Sequence, residues 1–166
     1  MLNNVPRCNI STFHSYFFQE LNMNATTLGF TYPISIIDSD DILKIIRNII
    51  EEQKFDIKDS DVYHYISNIK NHIINDYKNL QEATTVGFIF NKLQEELLKI
   101  NRMDFDDILY YYDKLLDIDQ EYLNEMRTLF KYVLIDESQD MNQIQYEIIS
   151  KLSKKEGGNE NRCHLP

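Results

Sequence analysis

Residues 132–140 read Tyr-Val-Leu-Ile-Asp-Glu-Ser-Gln-Asp, a continuous apolar run that ends in two adjacent carboxylates. Such a run is typical of a parallel strand that is buried on both faces. In open α/β sheets, ligands bind beyond the carboxyl ends of the strands. The stretch therefore predicts a buried strand over residues 132–135 that delivers Asp136 and Glu137 to a nucleotide and metal site.

Each carboxylate has a candidate role at such a site. Asp136 is predicted to hold Mg²⁺. Glu137, on the other side of the strand end, is predicted to orient the water that attacks the γ-phosphate, or to accept its proton. The competing explanation is a solvated strand end, where Asp and Glu are common. On these two residues alone the solvated end is the better explanation, because the pattern is short.

The longer string favours the catalytic interpretation. Residues 135–142 read Ile-Asp-Glu-Ser-Gln-Asp-Met-Asn and closely resemble the Walker B motif of UvrD/Rep-type superfamily 1 DNA helicases, Asp-Glu-aromatic-Gln-Asp-Thr-Asn. Five of the seven motif positions match, and the departures are Ser at the aromatic position and Met at the Thr position. The resemblance implies that Asp136 and Glu137 are catalytic, that Asp136 binds the metal, and that Asp136 and Gln139 bind the nucleotide.

Two further strings match the same family in the same order along the chain. Residues 11–15, Ser-Thr-Phe-His-Ser, resemble its Thr-Phe-His-Ser/Gly motif, which contacts single-stranded DNA. Residues 103–109, Met-Asp-Phe-Asp-Asp-Ile-Leu, resemble its Leu-Asp-Phe-Asp-Asp-Leu segment. The resemblance therefore implies that Thr12, Phe13 and His14 contact nucleic acid.

Simpler explanations exist for several of these residues. Phe13 is equally well explained as a core side chain beside a helix-capping Thr12, and both explanations stay open. Asp104, Asp106 and Asp107 are explained by helix capping, the helix dipole and solvation, without any chemistry.

The remaining histidines and the cysteines indicate no metal site. His64 and His72 are too far apart along one helix to form a metal-binding pair, and we expect both at the surface or its boundary. Cys8 and Cys163 lie near opposite ends of the chain, so neither a zinc site nor a disulfide framework is supported.

Hydrophobic spacing predicts a mostly helical chain. Residues 30–37 suit a connector or an edge strand, because they contain a proline and alternate weakly. Residues 157–166 have no periodicity and are predicted to form a loose tail. The predicted helices cover residues 13–23, 40–53, 60–77, 85–100, 104–116, 119–130 and 142–152.

The composition excludes some classes of protein. The net charge is -10, which argues against DNA binding by charge alone. Residues 101–140 carry eleven acidic and four basic side chains, so most of the excess lies in one quarter of the chain. No run is long and apolar enough for a membrane span or a signal peptide. We therefore expect no membrane partner and an intracellular location: cytoplasm or nucleoid in a bacterium, nucleus or organelle in a eukaryote.

The resemblance implies a fold that is mainly α with a small α/β part. This fold is an incomplete RecA-like P-loop NTPase domain that carries an α-helical insertion like the family's 1B subdomain. We expect residues 1–35 to be a RecA-like 1A segment with the single-stranded DNA motif. Residues 36–118 are then the 1B-like subdomain. Residues 119–166 are a second 1A segment with Walker B and the tail.

The function implied is that of a fragment of an ATP-dependent DNA helicase, using ATP and Mg²⁺ and acting on single-stranded and duplex DNA with the remaining helicase domains. None of the four glycines opens a Walker A loop, so the fragment alone is expected to be inactive. Two alternatives stay open. One alternative to the helicase fragment is a stand-alone helical interaction module derived from a helicase. The other is part of a recombination helicase-nuclease, whose family shares the Asp-Glu-x-Gln-Asp string.

Overall fold

A computed structural model of the chain describes residues 9–73, 84–130 and 132–153. Every predicted helix is present, and apart from the end of α3 the bounds agree within two residues. Residues 74–77 of the predicted 60–77 helix and the predicted tail at 157–166 lie outside the described residues. The described helices are α1 (Phe13–Met23), α2 (Ser39–Gln53), α3 (Asp59–Lys70), α4 (Thr85–Lys99), α5 (Phe105–Ile118), α6 (Gln120–Leu129) and α7 (Gln143–Ser153).

Side-chain caps fix where several helices begin. A capping oxygen accepts a hydrogen bond from a backbone N–H of the first turn, which otherwise has no partner in the helix. Thr12 caps α1 through Ser15 N at 3.3 Å, and Asp38 caps α2 through Asp41 N at 2.9 Å. Asp104 caps α5, as the sequence predicts.

The described chain has two apolar cores. The first lies among α1, α5, α6 and α7, with Leu21, Tyr112 and Ile148 at its centre. The second lies among α2, α3 and α4 and is rich in isoleucine, including Ile42 and Ile46. Helices α2 to α4 thus form a unit with its own core.

A short parallel strand pair joins the two cores where the chain enters and leaves the α2 to α4 unit. Strand β1 (Ser35–Ile36) pairs with β2 (Arg102–Met103), with Ser35 opposite Arg102. Of the two alternatives predicted for residues 30–37, an edge strand forms at Ser35–Ile36. Asn101 holds the pair together, because its side chain accepts from Thr31 N at 2.8 Å and donates to the carbonyl oxygens of Thr31 and Pro33 at 2.9 and 2.8 Å.

The prediction of a buried parallel strand over residues 132–135 is wrong for this structure. Tyr132 is 77% exposed and Leu134 is 82% exposed, and the segment forms only an isolated bridge at Leu134. Val133 and Ile135 pack against the first core, so only alternate side chains face inward. A strand buried on both faces needs a sheet around it, and the only sheet among the described residues is the β1 and β2 pair elsewhere.

None of the helices in the described ranges combines the length and apolar composition needed to cross a bilayer.

Candidate nucleotide and nucleic-acid sites

The predicted catalytic residues meet at one tight turn. Asp136 and Glu137 are both exposed, and Ser138–Asp140 form a short 3₁₀ turn directly after them. Glu137 has a left-handed backbone, with φ of 51°, which is uncommon for a residue with a side chain. Its N–H donates to Asp136 Oδ1 at 3.0 Å, and Gln139 Nε2 donates to the Glu137 carboxylate. The turn therefore brings together Asp136, Glu137 and Gln139.

The carboxylate oxygens at this turn are suitable ligands for a Mg²⁺ ion that also binds a nucleotide. Magnesium is usually held by one or two carboxylates, by substrate phosphates and by water, rather than by a cage of protein ligands. Asp136 supplies an exposed carboxylate. Within the described ranges, no three His, Cys, Asp or Glu side chains are grouped to hold a metal ion by themselves. Asp136 would thus be one ligand among phosphate and water oxygens.

The motif implied to contact DNA forms the first turn of α1. Thr12 is exposed and caps the helix, while Phe13 is half-buried and packs against the first core. The Phe13 ring lies 5.7 Å from the Phe17 ring, centroid to centroid. Phe13 therefore has a core contact, Thr12 is exposed, and His14 is half-buried like Phe13.

His14 joins this motif to the third matched string. Its ring lies 4.4 Å from the ring of Phe105, centroid to centroid, with 31° between the ring planes. Phe105 is the first residue of α5 and is 61% exposed. Burial lowers the pKa of His14 from its ordinary 6.5, and nearby Asp106 opposes this shift. The imidazole is therefore neutral at pH 7.

Asp106 is tied to α3 rather than solvated. Its carboxylate accepts from Ser67 Oγ at 2.6 Å and from Asn71 Nδ2 at 2.9 Å. Asn71 Oδ1 in turn accepts from Asn142 Nδ2 at 2.8 Å. Asn142 is the last residue of the Walker B-like string, so a continuous chain of hydrogen bonds joins that string to Asp106.

Asp104 and Asp107 form a buried ionic cluster around Lys70. Asp107 is fully buried, and Lys70 is 1% exposed. Lys70 Nζ lies 2.6 Å from Asp104 Oδ2 and 2.7 Å from Asp107 Oδ1. The two aspartates also form a reciprocal capping box at the start of α5. The prediction of capping is confirmed. The prediction of solvation is wrong for Asp104 and Asp107, because both side chains are buried and are paired with Lys70 of α3 instead of with water.

The ionisation of this cluster follows from two carboxylates sharing one ammonium group. Burial opposes the charge of Lys70, but Asp107 and Asp104 outweigh that effect and raise the pKa of Lys70. Burial raises the pKa of Asp107 from 3.8 to about 6, against the opposing effect of Lys70. Lys70 is thus charged at neutral pH, and Asp107 takes up a proton as the pH falls through about 6.

The prediction that His72 lies at the surface or its boundary is wrong. His72 is buried, and its Nδ1 lies 2.7 Å from Glu147 Oε2 of α7. His64 is exposed, as expected. The sequence gives no signal for the contacts of Lys70 with Asp104, of Asn71 with Asp106 or of His72 with Glu147, because each pair is more than thirty residues apart along the chain.

Comparison with known proteins identifies the family. A sequence profile of the UvrD/REP helicase N-terminal domain matches residues 2–159. A probable DNA helicase II homolog of Mycoplasma capricolum is 31% identical over 156 residues, which are 87% of this chain and 22% of that protein. The ATP-dependent DNA helicase PcrA of Bacillus subtilis is 31% identical over 154 residues, which are 88% of this chain and 21% of PcrA.

PcrA of Staphylococcus aureus is 29% identical over the same length, with 88% of this chain and 21% of the relative covered. The chain thus spans about a fifth of the length of these relatives. The family match covers all three motifs quoted from the sequence, and the predicted resemblance is confirmed. The chain belongs to the UvrD/REP helicase N-terminal domain family.

Proposed function

We propose that this chain is the part of an ATP-dependent DNA helicase that carries the carboxylates of ATP hydrolysis and one contact surface for single-stranded DNA. The observation that carries the proposal is the turn that joins Asp136, Glu137 and Gln139 by hydrogen bonds. The names of the relatives support it, since PcrA is an ATP-dependent DNA helicase.

At the nucleotide, the three residues have separate roles. Asp136 would hold Mg²⁺ through its exposed carboxylate, and the bound ion would supply charge neutralisation at the phosphates. Glu137 orients the attacking water or accepts its proton. Gln139 donates to the Glu137 carboxylate and thereby orients it beside the nucleotide. The phosphates themselves need a glycine-rich loop and its lysine, which we place in another part of a longer protein.

At the DNA, hydroxyl groups and rings of the first turn of α1 form the contact. Thr12 is exposed and His14 is partly exposed, so both are available to a strand passing over this turn. Because the chain has a net charge of -10, general electrostatic attraction to DNA phosphates contributes little to binding. Local hydrogen bonds and ring contacts therefore carry the recognition.

The two cores support a division into a RecA-like part and a helical insertion. Helices α2 to α4 have their own core and are joined to the remainder through β1 and β2. Helix α5 lies within the predicted insertion 36–118, yet it contributes to the first core. We propose that α2 to α4 form the 1B-like insertion and that α5 connects it to the RecA-like part.

The test is DNA-stimulated ATP hydrolysis by the longer protein that contains this segment. ATPase activity is measured with and without an oligo-dT strand, in the unsubstituted protein and in His14→Ala. We expect stimulation by DNA, and a loss of stimulation in His14→Ala with ATP affinity unchanged. His64→Ala, at an exposed histidine of α3, is the matched control. An ATPase that does not respond to DNA contradicts the proposal.

A further inference from the structure

Asn71 is a buried amide that connects three helices. It follows α3 directly, it is 8% exposed, and it lies outside the three strings that match the family. Its Nδ2 donates to Ser67 O at 3.0 Å and to Asp106 Oδ1 of α5 at 2.9 Å. Its Oδ1 accepts at 2.8 Å from Nδ2 of Asn142, the residue directly before α7. Both donor hydrogens and the acceptor of the amide are therefore engaged, so its orientation is fixed.

Asn142 is held through both groups of its side-chain amide. Its Nδ2 donates to Asn71, and its Oδ1 accepts from Gln145 N at 3.1 Å. The backbone N–H of Asn142 donates to Gln145 Oε1 at 3.0 Å, so the two residues start α7 with the reciprocal bonds of a capping box. The 3₁₀ turn Ser138–Asp140 ends two residues before Asn142. Asn71 therefore anchors the carboxyl end of the turn at residues 136–140.

Asp106 connects the same amide to the candidate DNA contact on α1. One oxygen of its carboxylate accepts from Asn71 Nδ2, and the other accepts from Ser67 Oγ at 2.6 Å. Asp106 directly follows Phe105, whose ring lies 4.4 Å from the ring of His14, centroid to centroid. The first turn of α5 thus contacts the first turn of α1 and is hydrogen-bonded to Asn71. A movement of α1 that displaces the start of α5 therefore acts on the hydrogen bonds of Asn71.

Hydrogen bonds of this kind transmit a movement better than apolar packing does. An apolar contact survives a small slide of one helix past another, whereas a hydrogen bond weakens steeply once its angle departs from linearity. A buried donor or acceptor that loses its partner stays unsatisfied, because water does not replace that partner. The start of α5, the end of α3 and the start of α7 therefore keep their relative positions or change them together.

We propose that Asn71 is a positioning residue that links the candidate DNA contact on α1 to the turn at residues 136–140. A strand bound at the first turn of α1 acts on Asp106 through the start of α5. Asn71 carries that change to Asn142, and the turn then alters the orientation of Glu137. The proposal rests on the proposed function and adds to it a residue from the α2 to α4 unit. Asn71 contacts neither the nucleotide nor the DNA and acts only through its two hydrogen-bonded neighbours.

The test is the ratio of ATP turnover with oligo-dT to turnover without it, measured at saturating ATP on the longer protein that contains this segment. Asn71→Asp places a second carboxylate against Asp106 and removes the donor, so we expect the ratio to fall about five-fold or more. Asn71→Ala removes both bonds without adding a charge and should lower the ratio as well. Asn71→Asp combined with Asp106→Asn exchanges the donor and the acceptor of that bond, and position 71 still accepts from Asn142. The ratio should then return to within about two-fold of the unsubstituted value.

The ratio separates a link from a loss of stability, because a smaller folded fraction lowers both turnover rates equally. Asn91→Asp is the matched control, since Asn91 is an exposed asparagine of α4 in the same unit, and it should leave the ratio unchanged. An unchanged ratio in Asn71→Ala overturns the proposal, and so does a reduced ratio in Asn71→Asp that Asp106→Asn does not restore. In both cases the proposed function stands if oligo-dT stimulates the unsubstituted protein. If it does not, the proposed function fails and this inference fails with it.

Discussion

Asn142 donates from Nδ2 to Asn71 Oδ1 over 2.8 Å, which ties the end of the Walker B-like string to the residue that follows α3. Asn71 also contacts Asp106, because its Nδ2 donates to the Asp106 carboxylate at 2.9 Å. The segment that follows the turn at residues 136–140 is therefore fixed to the helical unit that carries its own core. This connection has measurable consequences for stability.

The Asn71 and Asn142 side chains should be energetically coupled. In a double-mutant cycle with Asn71→Ala and Asn142→Ala, we expect a coupling of about 0.5 to 1.5 kcal/mol in the free energy of unfolding, the usual value of one hydrogen bond. Urea denaturation measures it. Asn91→Ala, at an exposed site on α4, should combine additively with Asn142→Ala. Full additivity of the Asn71 pair contradicts the contact.

Removing the buried ammonium of Lys70 should be costly. Lys70→Met leaves Asp104 and Asp107 buried beside one another without a cation, and we expect a loss of about 3 to 5 kcal/mol in the free energy of unfolding. Lys44→Met is the matched control, because Lys44 pairs with Asp41 at the exposed surface, and its urea midpoint should not move measurably. Equal effects of the two substitutions would show that Lys70 is not buried in an ionic cluster.

The raised pKa of Asp107 predicts a pH dependence of stability with a definite sign. In the unfolded chain Asp107 ionises near 3.8, whereas in the folded chain its pKa is about 6. The folded state therefore holds the proton more tightly, and the contribution of Asp107 to stability is full below pH 3.8 and is lost as pH rises through about 6.

The measurement compares the unsubstituted chain with Asp107→Asn. Their free energies of unfolding are followed from pH 4 to pH 7.5 by urea denaturation. As pH rises, the unsubstituted chain should lose stability relative to Asp107→Asn. The ¹³C resonance of the Asp107 carboxyl carbon should titrate near pH 6. A carboxyl that titrates below pH 4 contradicts the assignment.

The proximity of Asp106 to His14 is testable through the pKa of His14. Asp106 raises that pKa and thereby offsets part of the effect of burial. In Asp106→Asn the pKa of His14, measured by NMR, should fall further below 6.5. Asp61→Asn, at an exposed position on α3, should leave it unchanged. An unchanged pKa of His14 in Asp106→Asn would show that the two groups are not neighbours.

The predictions from sequence that succeeded depend on local signals. The starts of α2 and α5 agree with the predicted helices because a capping carboxylate, Asp38 or Asp104, and the apolar spacing behind it lie within one short stretch. The candidate catalytic residues could be named for a similar reason, since Asp136 and Glu137 are adjacent, and their roles stay a prediction. The family resemblance then assigned their roles, which a short pattern alone did not justify.

The predictions that failed depend on partners distant in sequence. Lys70 meets Asp104 across 34 residues, and no local pattern indicates which acidic residue a lysine will pair with. The strand predicted over residues 132–135 failed because an apolar run shows only that a segment suits a buried sheet. Whether neighbouring strands surround it depends on the remainder of the fold. The contact between the rings of Phe105 and His14 was not predicted, because the two residues lie on different helices.

The central claim is that the carboxylates of the turn at residues 136–140 take part in ATP hydrolysis. It assigns a different role to each of them. In the longer protein, Asp136→Asn should weaken Mg²⁺-dependent nucleotide binding as well as hydrolysis. Glu137→Gln keeps the size of the side chain and its capacity to accept from Gln139, but removes the basic oxygen. ATP should therefore still bind while the turnover rate falls.

The most direct measurement is ATP affinity and steady-state ATPase on Glu137→Gln, made side by side with Glu121→Gln at an exposed site on α6 as the matched control. Thermal unfolding checks that the turn remains folded. We predict unchanged ATP affinity and a turnover rate lowered by about 10² to 10⁴-fold for Glu137→Gln, with neither changed in Glu121→Gln. A Glu137→Gln protein that hydrolyses ATP at the unsubstituted rate contradicts the claim.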